Sequence, residues 1–95
     1  MIISQLSISP VGNETSLSKY VKIILNVLKK YNLKFETNAM ATIIQTKDLK
    51  ILFNVIQEAN YELFKMGSKR IITELKIDNR IDKEVTMESK LKSIE

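Results

Sequence analysis

The sequence predicts an α+β domain in which two amphipathic helices and a short terminal helix accompany a four-stranded sheet. Two observations predict this class. Segments that alternate apolar and polar residues are interleaved with segments whose apolar residues recur every three or four positions. The chain of 95 residues, 44% apolar and 27% charged, has room for one hydrophobic core. Because a domain this short buries roughly 60–65% of its unfolded surface, self-association would add stability.

The first strand and the first helix are predicted from a change in period. Residues 1–9 alternate with a period of two, as a half-buried strand does. Turn-forming residues at 10–13 end it, and Thr15 or Ser16 is expected to cap a helix that runs to about Tyr31. The apolar stripe of this helix is Leu17, Tyr20, Val21, Ile24, Val27, Leu28 and Tyr31.

Two short extended runs and a second helix follow. The runs at 33–37 and 41–46 are close enough for a hairpin, although no glycine marks the turn. Asp48 is expected to cap a helix to about Met66, with Gly67 ending it. Its predicted buried stripe is Leu49, Leu52, Phe53, Ile56, Ala59, Leu63 and Phe64.

Residues 69–78 alternate again, and residues 86–95 form a last helix that Thr86 is expected to cap. The order is therefore β-α-β-β-α-β with an additional C-terminal helix. With right-handed crossovers, this order gives a ferredoxin-like sandwich over residues 1–95. The last helix has a thin apolar stripe of Met87, Leu91 and Ile94.

Two helices cover only one face of a four-stranded sheet, so the other face is expected to be wet or covered by a ligand or partner. Its mixed composition suits an oligomer interface that contains a polar pocket. The stripe on the last helix has no evident seat within one protomer, and docking on a neighbour would bury it. The residues predicted for this face are Ile3, Gln5, Ser7, Ile43, Gln45, Ile72, Glu74 and Lys76.

Composition excludes most catalytic chemistry. The chain has no cysteine and no histidine, which removes the thiol nucleophile, zinc–thiolate sites and the ordinary general base near neutral pH. Asp78 and Asp82 do not belong to a calcium loop, because Lys83 and Ser89 stand where such a loop needs glycine and glutamate, and Arg80 is expected to pair with one of the two aspartates. We therefore expect no enzyme activity, no metal and no other cofactor.

The charge pattern predicts neither a nucleic-acid nor a membrane partner. The net charge is +4, but the lysines are spread along the chain and only two cations are arginine. No apolar stretch approaches the ~18 residues of a membrane span. Cytoplasmic residence is the default expectation.

The start of the first helix carries three hydroxyl residues, Thr15, Ser16 and Ser18. Unsatisfied backbone N–H groups and a partial positive charge meet at such a position. Two interpretations stay open: ordinary capping, or a seat for a polar or anionic ligand to which Ser16 and Ser18 contribute.

A series of short motifs spans nearly the whole chain in a consistent order, and on these residues the chain resembles the small thiamine-binding protein family. The resemblance implies a ferredoxin-like protomer, assembly into homodimers or homotetramers, and binding of thiamine or its hydroxymethylpyrimidine moiety without turnover. The motifs are Pro10-x-Gly12, Thr15-Ser16-Leu17-Ser18-x-Tyr20-Val21, Met40-x-Thr42-x-Ile44, Glu62-Leu63-Phe64-x-Met66-Gly67, Ile77-Asp78-x-Arg80-x-Asp82-Lys83 and Thr86-Met87-Glu88-x-Lys90.

The chain departs from that family after Met40, where the family usually reads Gly-Thr-x-Ile-Glu-Gly. Ala41, Gln45 and Thr46 replace both glycines and the carboxylate. Losing the carboxylate weakens electrostatic pairing with a thiazolium, whereas Gln45 retains hydrogen bonds for an aminopyrimidine. Ala41 narrows any pocket beside it.

Two sets of polar residues are candidates for a ligand site. Gln5, Ser7, Gln45 and Glu74 belong to the predicted open face, and a competing set lies near strand and helix ends. Tyr20 and Phe64 are either aromatic walls of a pocket or ordinary core residues. The alternative function is a purely structural or protein-interaction module without a ligand, and weak nucleic-acid binding ranks last. The competing set is Ser16, Ser18, Asn38 and Thr42.

Overall fold

The computed structural model describes residues 1–12 and 17–95. It confirms the ferredoxin-like α+β order with a C-terminal helix. The four strands form one antiparallel sheet in the order β2-β3-β1-β4. Thr15 and Ser16, the two expected caps, lie outside the described residues. The elements are β1 (Ile2–Pro10), α1 (Leu17–Lys30), β2 (Lys34–Thr37), β3 (Thr42–Thr46), α2 (Leu49–Lys65), β4 (Ile71–Asp78) and α3 (Met87–Lys92).

The strand pairing divides the sheet into a face that packs on α1 and α2 and a second face, which we call the open face. Leu6 lies opposite Leu75 and Thr42, whereas Gln5 lies opposite Lys76 and Ile43. The alternation therefore carries through all the strands, as the sequence predicts. The open-face residues are Ile3, Gln5, Ser7, Ser9, Lys34, Glu36, Ile43, Gln45, Ile72, Glu74, Lys76 and Asp78.

The hydrophobic core lies between α1, α2 and the helix-facing side of the sheet. Tyr20 is 6% exposed and belongs to this core, and it also lines a depression between α1 and the β2–β3 turn. The core residues are Leu6, Tyr20, Ile24, Val27, Leu28, Ile44, Leu52, Val55, Ala59 and Leu63.

The predicted buried stripe of α2 is wrong at two positions. Phe53 and Phe64 are 49% and 48% exposed, and Val55, which the stripe omitted, is fully buried. At 100° per residue, Val55 points with Leu52 toward the core, whereas both phenylalanines lie on the flank of the helix. Spacing alone did not distinguish the centre of the stripe from its margin.

The predicted caps and stops of α2 are confirmed, and a side chain explains the hairpin. Asp48 Oδ1 accepts a hydrogen bond from the Ile51 N–H at 2.9 Å, and Gly67 ends the helix at a φ of +109°. In the β2–β3 turn, Asn38 Oδ1 accepts from the N–H groups of Met40 and Ala41 at 2.8 and 2.9 Å. This asparagine closes the turn without a following glycine.

The last helix crosses the open face of its own sheet. Met87 is 5% exposed, and its N–H donates to Gln45 Oε1 at 2.9 Å. The expectation that its stripe has no seat within one protomer is therefore wrong for Met87. The reason is the non-periodic segment 79–86, which carries the chain back over the sheet. Leu91 and Ile94 stay 51% and 80% exposed.

Thr86 caps α3 as predicted. Its Oγ1 accepts from the Ser89 N–H at 3.1 Å, and Ser89 Oγ accepts from the Thr86 N–H at 2.9 Å. Within the described residues, no helix has both the length and the hydropathy that a membrane crossing requires.

Two buried hydroxyl groups on the helix-facing side have no hydrogen-bond partner among residues 1–12 and 17–95. They belong to Ser4 and Thr46, which are 2% and 1% exposed. Because a buried hydroxyl without a partner is destabilising, we expect Thr46→Val to raise the free energy of unfolding by about 1 kcal/mol. Urea denaturation measures this change. Thr42→Val is the matched control, since the Thr42 hydroxyl bonds Thr37 at 3.3 Å, and equal losses in both variants would contradict the expectation.

Candidate functional site

The α3 groove is the depression between α3 and the open face, with a volume of about 370 Å³. Its floor and one wall are apolar, and carboxylates and ammonium groups stand at its rim. Pockets that bind small molecules combine an apolar lining with a few polar groups in this way. Its lining residues are Ile3, Ser4, Gln5, Glu36, Ile43, Lys76, Asp78, Met87, Lys90 and Leu91.

Two further depressions contain predicted site residues. The β1–β4 groove, of about 390 Å³, continues along the open face away from α3. The hairpin pocket, of about 200 Å³, lies between α1 and the β2–β3 turn. The β1–β4 groove is lined by Gln5, Ser7, Met40, Ala41, Glu74, Leu75 and Lys76.

The structure brings three of the four predicted open-face residues together. Gln5, Ser7 and Glu74 line the β1–β4 groove, and Gln5 also lines the α3 groove. Gln45 lies on the same face, but its carbonyl oxygen accepts the Met87 N–H and holds α3 in place. Gln5 is therefore the predicted residue common to both grooves of this face.

The competing set does not form one site. Asn38 and Thr42 line the hairpin pocket, but the Asn38 side chain closes the turn and the Thr42 hydroxyl bonds Thr37. Ser18 is exposed in the first turn of α1, and Ser16 lies outside the described residues. Phe64 lines none of the three depressions, so the structure does not support it as a pocket wall.

Sequence analysis missed the residues that form the rim and outer wall of the α3 groove. Met87 and Leu91 were recognised as an apolar stripe but were assigned to a neighbouring copy. Glu36 is absent from the face that the sequence predicts, yet its pairing with Ile43 places it on the open face. Alternation along β2 indicates this position: Lys34 pairs with Gln45 on the open face, and Glu36, two residues further, lies on the same face.

Ion pairs fix the charges around α3. Lys90 Nζ lies 2.5 Å from Asp78 Oδ2, and this hydrogen bond together with the lysine charge lowers the pKa of Asp78. Arg80 pairs with Asp82 and lowers its pKa to about 2, which confirms the expected arginine–carboxylate pair. Glu36, by contrast, has no ion pair within residues 1–12 and 17–95. In the same part of the chain, no acidic cluster suits a metal ion.

Because Asp78 pairs with Lys90 of α3, the pKa of the Asp78 carboxyl reports whether α3 is in place. Because the folded pKa of Asp78 lies below its ordinary value of 3.8, the pair contributes stability above that value and loses it as the pH falls through the folded pKa. We expect Lys90→Gln to return the Asp78 midpoint toward 3.8, measured by the carboxyl carbon NMR shift.

The matched control for this titration is Lys92→Gln, another cation of α3 that makes no ion pair in the described part of the chain. It should leave the Asp78 midpoint unchanged. Equal midpoints in the wild type and Lys90→Gln would show that the pair does not persist in solution.

Comparison with known proteins identifies the family. The model of the thiamine-binding protein family matches residues 4–95. The chain belongs to this family. It is 44% identical over 98% of its length to the UPF0045 protein MJ1052 of Methanocaldococcus jannaschii, covering 91% of that relative. The UPF0045 protein YqgV of Bacillus subtilis is 37% identical over 99% of this chain and 94% of its own.

The crystal structure of MJ1052 shares the fold. It superposes with a TM-score of 0.88, over 98% of this chain and 94% of the other. Family membership confirms the resemblance that the sequence motifs carry.

Proposed function

We propose that this chain binds thiamine or a related hydroxymethylpyrimidine compound reversibly, without converting it, as a cytoplasmic homo-oligomer. Membership in the thiamine-binding protein family carries the proposal. The α3 groove is the proposed site, because its volume of about 370 Å³ lies within the range of pockets that hold small molecules.

The groove suits an aminopyrimidine ring. Such a ring needs flat apolar contacts on its faces and hydrogen-bond donors and acceptors at its edge. Ile3 and Ile43 form the floor, and Met87 and Leu91 form the opposing wall. The amide of Gln5 offers both a donor and an acceptor, and it has no hydrogen-bond partner within the described residues. These groups support a ring clamped between the sheet and α3.

Glu36 is the carboxylate best placed to face a thiazolium. The Asp78 carboxylate at the opposite rim already pairs with Lys90. Gln45 stands where the family pattern has a carboxylate, and its amide oxygen holds α3. Glu36 lines the groove and keeps its charge unpaired among the described residues. It therefore supplies the counter-charge in this proposal, through a different strand from the family carboxylate.

The absence of histidine and cysteine from the chain supports binding without turnover. General acid–base and nucleophilic catalysis most often use those side chains. The carboxylates beside the groove are either paired with cations or exposed. We therefore propose a binding role.

Exposed apolar groups around the open face support assembly with further copies. Met40, Ile72 and Leu91 are 85%, 45% and 51% exposed, and Ile94 is 80% exposed. All four lie on or beside the open face or α3. Burial of such groups against another protomer would remove apolar surface from water, which favours association.

Isothermal titration with thiamine and with hydroxymethylpyrimidine tests the binding site. We expect Gln5→Leu to weaken both ligands by about tenfold, because it removes hydrogen bonds to the shared ring. Glu36→Gln should weaken thiamine selectively, since hydroxymethylpyrimidine carries no thiazolium. Asn54→Leu, on the exposed side of α2, is the matched control and should leave both affinities unchanged.

The same titration separates this function from its alternative. Absence of heat and of any thermal shift with both ligands at millimolar concentration would overturn the binding proposal. An oligomer that persists under those conditions would instead identify a structural or protein-interaction module.

A further inference from the structure

The β4 strand is an unprotected edge of the sheet. Among the described strands it pairs only with β1, and it runs from Ile71 to Asp78 without a proline. The opposite edge, β2, is half as long, from Lys34 to Thr37. Soluble proteins usually keep edge strands short or blunt them with proline or bulges, because unpaired N–H and C=O groups recruit another strand. The long edge is therefore the one available for pairing.

The phase of the β1–β4 ladder shows which backbone groups of β4 point outward. The Val11 N–H donates to the Arg70 carbonyl at 2.8 Å, directly next to the Pro10–Ile71 pair. Because hydrogen-bonded pairs alternate along an antiparallel ladder, the even-numbered residues of β4 direct their backbone groups toward β1. The outward groups belong to Ile71, Thr73, Leu75 and Ile77.

We propose that a second copy of this chain pairs its β4 antiparallel to this edge, with the two-fold axis at Leu75. This inference rests on the homo-oligomer of the proposed function and names one surface that builds it. Residues that lie directly opposite each other in an antiparallel pair point to the same face of the sheet. In a pairing of two identical strands, this holds only when the two-fold axis passes through a residue and not between two residues. The Leu75 axis overlaps residues 72–78 of the two copies.

Charge complementarity selects that register. With the axis at Leu75, Glu74 lies opposite the partner's Lys76, and the contact occurs twice by symmetry. An axis at Glu74 or at Lys76 would instead place like charges directly opposite each other, which destabilises a strand pair. Moving the axis to Thr73 or to Ile77 would shorten the overlap to residues 71–75 or 76–78. In the Leu75 register, Thr73 lies opposite the partner's Ile77. Both residues direct their backbone N–H and C=O groups outward, so these groups can hydrogen-bond across the interface.

The α2 helix supports the same contact. Asn60 Nδ2 donates to Thr73 Oγ1 at 3.3 Å, so this side of the helix faces β4. Phe53 lies seven residues before Asn60 and Phe64 four after it, so both rings share that side. These are the rings that are about half exposed. Pairing along β4 brings the two α2 helices to either side of the two-fold axis, where their phenylalanine rings become buried.

The partner also completes one of the depressions on the open face. Glu74 and Lys76 both line the β1–β4 groove. In the proposed pairing, the partner's Lys76 stands beside Glu74 at the open end of that groove. The open faces of the two copies then form one continuous surface.

Charge reversal tests the register. We expect Glu74→Lys and Lys76→Glu each to raise the dissociation constant of the interface about tenfold, measured by analytical ultracentrifugation. An equimolar mixture of the two variants should regain the wild-type constant, since each lysine of one copy then faces a glutamate of the other. Lys22→Glu, on the exposed side of α1, is the matched charge control and should change nothing.

Backbone amide exchange followed by NMR provides a readout that does not depend on those side chains. In the assembled wild type, the N–H groups of Thr73, Leu75 and Ile77 should be as protected as those of the even-numbered residues. In Glu74→Lys diluted to the monomer, only the even-numbered residues should stay protected. Rapid exchange of the odd-numbered amides in the wild-type oligomer would overturn the β4 interface.

The outcomes separate this inference from the proposed function. An oligomer whose mass and dissociation constant do not respond to either charge reversal overturns the β4 interface and leaves oligomerisation intact. A wild type that sediments at the 11.0 kDa of one chain overturns both. Ligand binding is measured separately by titration, and its failure would leave the β4 result standing.

Discussion

The register of β1 is the constraint on which the rest of the molecule depends, because β1 pairs with strands on both sides. A slip of one residue would exchange its two faces. Leu6, which is 2% exposed, would then enter water, and Gln5 would enter the core. Loss of a buried leucine and burial of an unpaired amide are both strongly unfavourable. Burial of Leu6 in the core therefore also places Gln5 on the open face.

Local sequence signals predicted the features that depend on this register. The alternation of β1 and β4 placed Gln5, Ser7 and Glu74 on one face, and the antiparallel order brought them into one groove. Asp48 and Thr86 were recognised as caps because a capping side chain bonds backbone within three residues. In each case the interacting groups are close in sequence, or they are related by a period of two.

Features that depend on long-range contacts were not predictable in the same way. The bond between Gln45 and the Met87 N–H joins residues 42 positions apart, and the intervening segment 79–86 has no periodicity to show its path. Whether Phe53 and Phe64 lie in the core or beside it depends on how α2 is rotated against the sheet. Spacing defines a helical face but not that rotation. These contacts decide which polar groups remain free for a ligand.

The distribution of charge connects the ligand site with the proposed assembly. The open face and its rim carry Glu36, Glu74 and Asp78, of which Asp78 is already paired with Lys90. Pairing along β4 places the partner's Lys76 against Glu74, so that this carboxylate also acquires a counter-charge. Glu36, on the opposite edge of the sheet, is then the remaining carboxylate of these three that can compensate a cationic ligand. Assembly along β4 would therefore concentrate recognition of a thiazolium at the β2 end of the α3 groove, while the neutral pyrimidine depends on Gln5 in either state.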